Sequence, residues 1–535
     1  MSEVDELIII VIVIFKEENM EFGILSLLPA VLTIILAIIT KEVLLSIFVG
    51  LITGTLILSG GNPILAIEEF VNLIINGVAD PVSIQVLIII IVLGGLIGII
   101  VKSGGSEAFG KLLMSKVKTR RGAETVTWGI GMMIFFDDPF NCLTNGTVMR
   151  PITDKYGVSR EKFSYIVDST AVSICLLCPL SGWVGFMCSL IAEAYKNSGI
   201  SGFAYKSFLM SIPYNYYCWL SIIMVLMVIF FKLDFGPMAK AEKRTQETGV
   251  VCEKTFSGGE ADEDDFASIK KADGKAIDLL LPIITLIILA ILFMLYTGGF
   301  FNGNNIAETV NNMDGLLAIT YAVILTVAIT IVFFAVKKLS SISESLSAFI
   351  IGIKAIVFVV ILLAFAWGLG GLCDALDTAG FLVSLFDGNV PAFLTPFIIF
   401  VVSCVMTFAT GATWGTYAIM IPIAVPLSVA MGVDPIACIS AVLGGGAFGN
   451  HCSPLADTAI ISSAASNIRH TDHIKTQIPY SVTCAVVASV GYLIAGIVDN
   501  PIVPILAVLI LFVVVMIILH KLFGHNQNTS LKTES

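Results

Sequence analysis

Long apolar segments recur along the whole chain. Many extend for about 18 to 25 residues, which at about 1.5 Å per residue is enough to cross a hydrocarbon core about 30 Å thick. With 57% hydrophobic residues, 13% charged residues and a mean hydropathy of +0.97, the chain cannot hide this surface in water-soluble domains. The sequence therefore predicts an all-α polytopic membrane protein that has the lipid bilayer as its partner.

Basic residues orient the predicted helices, because short loops rich in Lys and Arg remain on the cytoplasmic side of a membrane. Such loops occur at residues 102–121, 150–162, 232–275, 337–338 and 469–475, and in the tail from residue 521. Placing them all inside requires about eleven transmembrane helices plus two re-entrant hairpins. The N-terminus is then outside and the C-terminus is cytoplasmic.

The predicted elements of the first half follow an N-terminal extension, residues 1–22, and both Met1 and Met20 remain open as the start. Residues 23–231 form a first repeat, with a hairpin at about 123–151 and a discontinuous helix at about 161–191. Pro139, inside the hairpin, is a helix-breaking residue of the kind expected at a re-entrant tip.

The same order of elements returns after a cytoplasmic linker loop at residues 232–275, whose composition predicts no buried core. Residues 276–500 form a second repeat, with a hairpin at about 391–428 and a discontinuous helix at about 433–466. Residues 501–535 add a C-terminal helix and tail. Because the first repeat has an odd number of crossings, the two copies are predicted to be inverted repeats.

A polar block interrupts the apolar sequence of the first half. It contains Asp137, Asp138 and Asn141, and Asp168 follows in the next predicted helix. An ionisable side chain in hydrocarbon costs about 2.5 to 3.5 kcal/mol on insertion scales, so Asp137 and Asp168 are candidate ion-binding residues, with Asn141 beside them. For Asp138 an ion pair with a basic neighbour, away from the site, is an equally open interpretation.

A second polar block lies at the matching place in the second half. Hard cations such as Na⁺ favour oxygen ligands, so the candidate Na⁺ ligands are Asp457, Ser453 and Asn450. His451 is a candidate proton carrier, because imidazole titrates near neutral pH. Two hydroxyls complete the set, those of Thr413 and Thr458. Further along, His470 and His473 are interpreted as members of a basic cytoplasmic loop.

At these two blocks the sequence resembles the NhaC-type Na⁺/H⁺ antiporter family of the ion-transporter superfamily. The resemblance covers most of residues 23–500. It is most specific in residues 449–458, which are similar to the family's Gly-Asp-His-Cys-Ser-Pro pattern followed by Asp-Thr, and it extends to residues 413–416 and 137–156. Where the family commonly has Asp after Gly this chain has Asn450, so proton coupling would depend on Asp457, Asp168 or Asp137.

This resemblance implies a secondary active transporter that exchanges internal Na⁺ for external H⁺ by alternating access. It further implies the inner membrane of a prokaryotic cell and a homodimer. The transported cation and the proton are its ligands, and no cofactor is expected.

Two other functions remain open. The same fold could exchange small organic acids or amino acids, coupled to Na⁺ or H⁺, with Trp183, Trp414 and Asn141 lining a larger pocket. A membrane-embedded enzyme using His451, Cys452 and Asp457 is disfavoured, because neighbouring residues of one helix point to different sides. No basic stripe indicates nucleic acid, and the cysteines lack the paired spacing of a disulfide framework or zinc site.

Overall fold

The computed structural model describes most of the chain. The described residues are 22–40, 42–105, 117–253, 272–305, 312–354, 356–378, 391–498 and 500–523, with positions 108, 109, 112, 269, 308, 309 and 381. The N-terminal extension up to residue 21, the acidic part of the linker and the C-terminal tail from residue 524 lie outside this part. The regular elements of the described residues are all helices, which confirms the all-α class.

The first half contains ten α-helices in its described residues. They are α1 (Leu28–Thr40), α2 (Val43–Leu58), α3 (Pro63–Ala79), α4 (Pro81–Ser103), α5 (Arg120–Met133), α6 (Asp138–Lys155), α7 (Arg160–Leu177), α8 (Gly182–Asn197), α9 (Ala204–Ser211) and α10 (Tyr216–Phe231).

The linker and second half contribute eleven more within the described ranges. They are α11 (Gly236–Thr248), α12 (Ala276–Thr297), α13 (Gly315–Val336), α14 (Ile342–Lys354), α15 (Val357–Ala375), α16 (Thr395–Thr410), α17 (Thr413–Ala430), α18 (Pro435–Cys452), α19 (Asp457–Ser466), α20 (His470–Ala495) and α21 (Ile502–Phe523).

The described residues contain nine helices that are long and apolar enough to cross a membrane, or ten if the bent pair α7 and α8 forms one span. The protein is therefore a multi-span membrane protein. The count of about eleven spans stays a prediction. Buried positions occupy almost the full length of α7 and α18, whereas most of the apolar surface of α12 and α21 is exposed. Helices α7 and α18 thus form the centre of the molecule. Helices α12 and α21 present their apolar surface to lipid.

Helix boundaries recur at a constant spacing of 275 residues. The helices α5, α6, α7 and α8 begin 275 positions before α16, α17, α18 and α19, respectively. The ends of α6 and α7 lie the same distance before the ends of α17 and α18. These coincidences show an internal repeat of four consecutive helices. The opposite orientation of the two copies in the membrane stays a prediction.

Each copy begins with two helices that fold back on each other. In the first, the Asn145 side chain on α6 donates from Nδ2 to the Thr127 carbonyl on α5 at 3.0 Å. In the second, the Thr407 hydroxyl on α16 donates to the Thr416 hydroxyl on α17 at 2.7 Å. In each segment the two bonded residues lie at nearly equal distances before and after a short non-helical tip. Both segments are therefore helical hairpins. Their re-entrant depth in the bilayer stays a prediction.

Each copy continues with an interrupted helix. Between α7 and α8 the chain is non-helical at residues 178–181 and the axis bends by 49°. Between α18 and α19 the interruption covers residues 453–456. Pro179 and Pro454 occupy these gaps, where a missing N–H and a fixed φ disfavour continuation of the helix. Interruptions of this kind leave backbone groups without helical partners.

The linker contains an ordered helix, so the expectation that it buries nothing is wrong. Met238, Ala241, Glu242 and Thr245 on α11 are buried, and α11 packs against α20 and α7. The composition of the linker is dominated by its acidic part, which lies outside the described residues. That average concealed a short amphipathic helix at its start.

Candidate functional site

Asn450, in the last turn of α18, joins three helices at the second interruption. Its Nδ2 donates to the Thr413 hydroxyl at 2.8 Å, and its Oδ1 accepts from the Thr458 hydroxyl at 2.6 Å. All three side chains are buried. The amide therefore fixes the start of α17 and the start of α19 against the end of α18.

Ser453 and Asp457 lie at either end of the same interruption. The Ser453 hydroxyl accepts from the Leu455 N–H at 3.2 Å, and Asp457 Oδ1 accepts from the Thr458 N–H at 2.8 Å. Asp457 occupies the first turn of α19, where the helix dipole favours negative charge. In the described part of the chain no group of three or more His, Cys, Asp or Glu side chains is placed to hold a metal ion. A Na⁺ ion here would need hydroxyl, amide or carbonyl oxygens as well.

The acidic pair of the first hairpin lies at the start of α6. Asp137 caps this helix, its Oδ1 accepting from the Phe140 N–H at 2.8 Å. Asp138 is buried and accepts from the Trp183 indole N–H at 3.1 Å. The alternative in which Asp138 pairs with a basic neighbour is wrong, because no Lys, Arg or His of the described residues forms an ion pair with it.

The first interruption meets the tip of the second hairpin through aromatic side chains. Trp183, at the start of α8, stacks on Trp414, at the start of α17, with ring centres 3.7 Å apart and planes 14° from parallel. The Asp138 carboxylate also lies within electrostatic reach of Asp137 and of Asp457. Carboxylates from opposite repeats therefore share one region of the molecule.

Repeat-related positions make the same connection in both halves. Asp138 and Thr413 are the first residues of α6 and α17, and Trp183 and Thr458 are the second residues of α8 and α19. In the first half the two positions bond directly, and in the second half Asn450 bridges them. The hairpin tip is thus tied to the interrupted helix by polar bonds in each repeat.

A cavity of about 50 Å³ opens beside Asp137, with Gly182, Trp414 and apolar residues in its wall. One water molecule in the liquid takes up about 30 Å³, so this space suits a small ion or one or two waters. Of the three residues expected to line a larger pocket, Trp414 lines this cavity, and neither Trp183 nor Asn141 does. The Asn141 Nδ2 instead donates to the carbonyls of Gly131 (2.7 Å) and Ile134 (2.9 Å), which terminate α5.

A second polar centre surrounds Asp168 in the middle of α7. Its carboxylate accepts from Gln477 Nε2 at 2.5 Å and from the Ser462 hydroxyl at 3.3 Å. His473 Nε2 lies 3.4 Å from Asp168 Oδ2, and both side chains are fully buried. The interpretation of His473 as a loop residue is therefore wrong. The basic residues of 469–475 are typical of a cytoplasmic loop, but these residues form the start of α20.

His451 lies on the other side of Gln477. Its Nδ1 is 2.7 Å from the Tyr217 hydroxyl, and its backbone carbonyl accepts from Gln477 Nε2 at 2.8 Å. The sequence reasoning missed Gln477, Ser462 and Tyr217. One signal was present, since His473 and Gln477 are four residues apart and so share a helix face.

Repeat-related helices that are interrupted beside polar and acidic side chains, in a multi-span protein, define the architecture of a secondary transporter. A model of the Na⁺/H⁺ antiporter family matches residues 174–497. The chain belongs to this family, which confirms the resemblance found in the sequence. The protein is a membrane transporter, and these comparisons point away from an enzyme.

Individual proteins are also similar to this chain. The chain is 32% identical over 482 residues to a Haemophilus influenzae protein described only as uncharacterised, covering 88% of this chain and 90% of that one. A malate-2H⁺/Na⁺-lactate antiporter of Bacillus subtilis is 24% identical over 96 residues, 18% of this chain and 20% of that one. The YdaH transporter of Alcanivorax borkumensis has a similar fold, with a TM-score of 0.54, 14% identity, and coverage of 80% of this chain and 86% of that chain.

Proposed function

We propose that the protein exchanges internal Na⁺ for external H⁺, with Asp138 and Asp457 as the carboxylates that both ions share. The observation that carries this proposal is the set of contacts that joins the two carboxylates across the repeats. Trp183 donates to Asp138 and stacks on Trp414, and Asn450 links Thr413, the neighbour of Trp414, to Thr458, the neighbour of Asp457. Within the described residues, neither forms an ion pair with Lys, Arg or His. Asp138 is buried, and a buried carboxylate without a basic partner is stabilised by a bound proton or by a cation. Asp457 is exposed at the second interruption, where a cation can reach it.

Competition at this pair would make the exchange obligatory. Protonation removes the negative charge that holds Na⁺, and Na⁺ binding requires the proton to leave. Thr413, Asn450 and Thr458 supply further oxygen atoms beside Asp457, and Asp137 stands next to Asp138. All of these are groups of the chain itself, so the proposal includes no resident cofactor.

Alternating access would come from movement at the connections between the repeats. The Trp183–Trp414 stack would change as the hairpins rock. The electrostatic interaction between Asp138 and Asp457 would change with it. The proposal places the protein in a prokaryotic inner membrane, as a homodimer, with the N-terminus outside and the C-terminus in the cytoplasm.

The test uses purified protein in liposomes with an imposed pH gradient and a pH-sensitive dye inside. Addition of Na⁺ should drive proton movement in the wild type, and Asp457→Asn and Asp138→Asn should each reduce its rate by about 100-fold or more. Asp80→Asn is the matched control. Asp80 caps α4 through Oδ1 and pairs with an exposed lysine, and asparagine keeps the cap. Full activity in both site variants would contradict the proposal.

The organic-acid alternative is kept because of the match to the malate-2H⁺/Na⁺-lactate antiporter. Its test adds malate, lactate or amino acids to the same liposomes. Proton movement driven by an organic solute but by no inorganic cation would establish this alternative. The volume of about 50 Å³ beside Asp137 favours the smaller cargo in the conformation described.

A further inference from the structure

A buried imidazole and carboxylate face each other beside the proposed cation site, and the exchange described above does not use them. His473 Nε2 and Asp168 Oδ2 are 3.4 Å apart. Neither ring nitrogen of His473 has a hydrogen-bond partner among the described residues, whereas Asp168 is held by Gln477 and Ser462. The carboxylate is thus fixed in place, and the imidazole remains free to exchange a proton.

This pair is connected in two directions. Toward the cation site, Gln477 Nε2 donates both to Asp168 and to the carbonyl of His451, the residue that follows Asn450. Away from it, the half-buried His470 ring lies 6.5 Å from the His473 ring, centre to centre, one turn earlier on α20. His470 lies at the start of α20 next to Arg469, at an end that the basic residues predict to be cytoplasmic.

We propose that Asp168 and His473 form the proton pathway between the Asp138–Asp457 site and the cytoplasm. The inference rests on the proposed Na⁺/H⁺ exchange and adds a route to it. A proton released at the site binds the Asp168 carboxylate. It then passes from Oδ2 to His473 Nε2, which leaves a carboxylate and an imidazolium. The imidazolium loses its Nδ1 proton to water on the His470 side.

Other titratable groups surround the pair on every side. His451 on α18, Asp457 on α19 and Cys142 on α6 act electrostatically on Asp168 or on its neighbours, and Tyr217 on α10 bonds to His451. Of the imidazoles, His470 is half-buried, while His451 and His473 are fully buried. The route from Asp168 through His473 to His470 therefore leads from the interior to the surface.

The experiment compares two fluxes in liposomes containing His473→Gln. Na⁺-driven proton movement requires proton release, whereas exchange of labelled Na⁺ for unlabelled Na⁺ at equal pH does not. We expect the first rate to fall by about 100-fold, within the range for a lost acid–base group, and the second to stay within about twofold. His520→Gln, which changes an exposed histidine of α21, is the matched control.

Chemical rescue provides a second measurement. In His473→Ala, added imidazole should restore proton movement in proportion to its concentration and to its neutral fraction, which a purely structural defect would not show. Equal loss of both fluxes without rescue, or a wild-type proton rate in His473→Gln, would overturn the pathway. A wild type that moves no protons on Na⁺ addition would instead overturn the exchange itself, so the two failures are distinguishable.

Discussion

Asn450 stands, at the residue scale, where the sequence resemblance implies a carboxylate. Its amide makes one bond as donor and one as acceptor, to Thr413 and Thr458, so the position is structurally satisfied without charge. A carboxylate there could accept from both hydroxyls. The interruption of α18 and α19 therefore keeps its geometry in this chain while it loses one titratable group.

Asn450→Asp should change the pH dependence of transport while preserving the fold. The new carboxylate would stand near Asp457, and like charges at short distance disfavour joint ionisation. We expect the pH profile of Na⁺-driven proton movement to shift by about one unit or more, and thermal stability in detergent to change little. Asn450→Gln adds no charge and is the control. An unchanged profile in Asn450→Asp would show that this position does not contact the coupling site.

At the scale of elements, a buried cluster of charged side chains stabilises the contact of α11, the helix of the linker, with α5 and α7. Lys162 Nζ on α7 lies 3.1 Å from Asp234, 3.5 Å from Glu124 and 3.6 Å from Glu242, which also pairs with Arg120. The three carboxylates belong to α5, to α11 and to the segment between α10 and α11. The cluster thus fixes α11 against the first hairpin and the first interrupted helix.

Glu242→Gln should weaken this contact. Glu242 pairs with both Lys162 and Arg120, and the loss of a hydrogen bond to a charged group costs about 1.5 to 3 kcal/mol. The larger cost of an uncompensated buried charge does not apply, because two cations and the carboxylates of Glu124 and Asp234 remain. The Glu242 side chain is 1% exposed, whereas that of Glu247 on the same helix is 57% exposed and pairs with Lys243, which is 70% exposed. We expect a lower melting temperature and faster protease cleavage at α11 in Glu242→Gln, with Glu247→Gln resembling the wild type. Equal behaviour of the two variants would mean that α11 docks through its apolar face alone.

Elements were predictable from sequence wherever a local signal marked them. Pro139 indicates the tip of the first hairpin, and Pro179 and Pro454 are prolines of the same helix-breaking kind at the two interruptions. Helix α3 is harder to predict from hydropathy. Asn62 marks its start, because its side chain accepts from two N–H groups of the first turn, but the glutamates of this segment lower the mean hydropathy. Long-range contacts had no such signal. Asp168 and His473 are 305 positions apart, and no spacing rule relates residues at that separation.

The internal repeat organises the molecule at the largest scale. Four helices recur at equal spacing, and the Trp183–Trp414 stack joins the interruption of the first copy to the hairpin tip of the second. The site is therefore built from residues of both halves. Oppositely oriented copies would give the two hairpins equivalent positions on the two membrane faces, as alternating access requires.

Cysteine labelling from the two sides of the membrane tests this orientation. Lys155 and Ala430 are the last residues of α6 and α17, are repeat-related, and are both exposed at helical positions. Native Cys178 and Cys252, the half-buried cysteines, would first be replaced by serine. In right-side-out vesicles an impermeant maleimide should then label Ala430→Cys from outside and should reach Lys155→Cys only after permeabilisation. Labelling of both from one side would mean that the copies are parallel, and that access to the shared carboxylates cannot alternate by exchange of equivalent conformations.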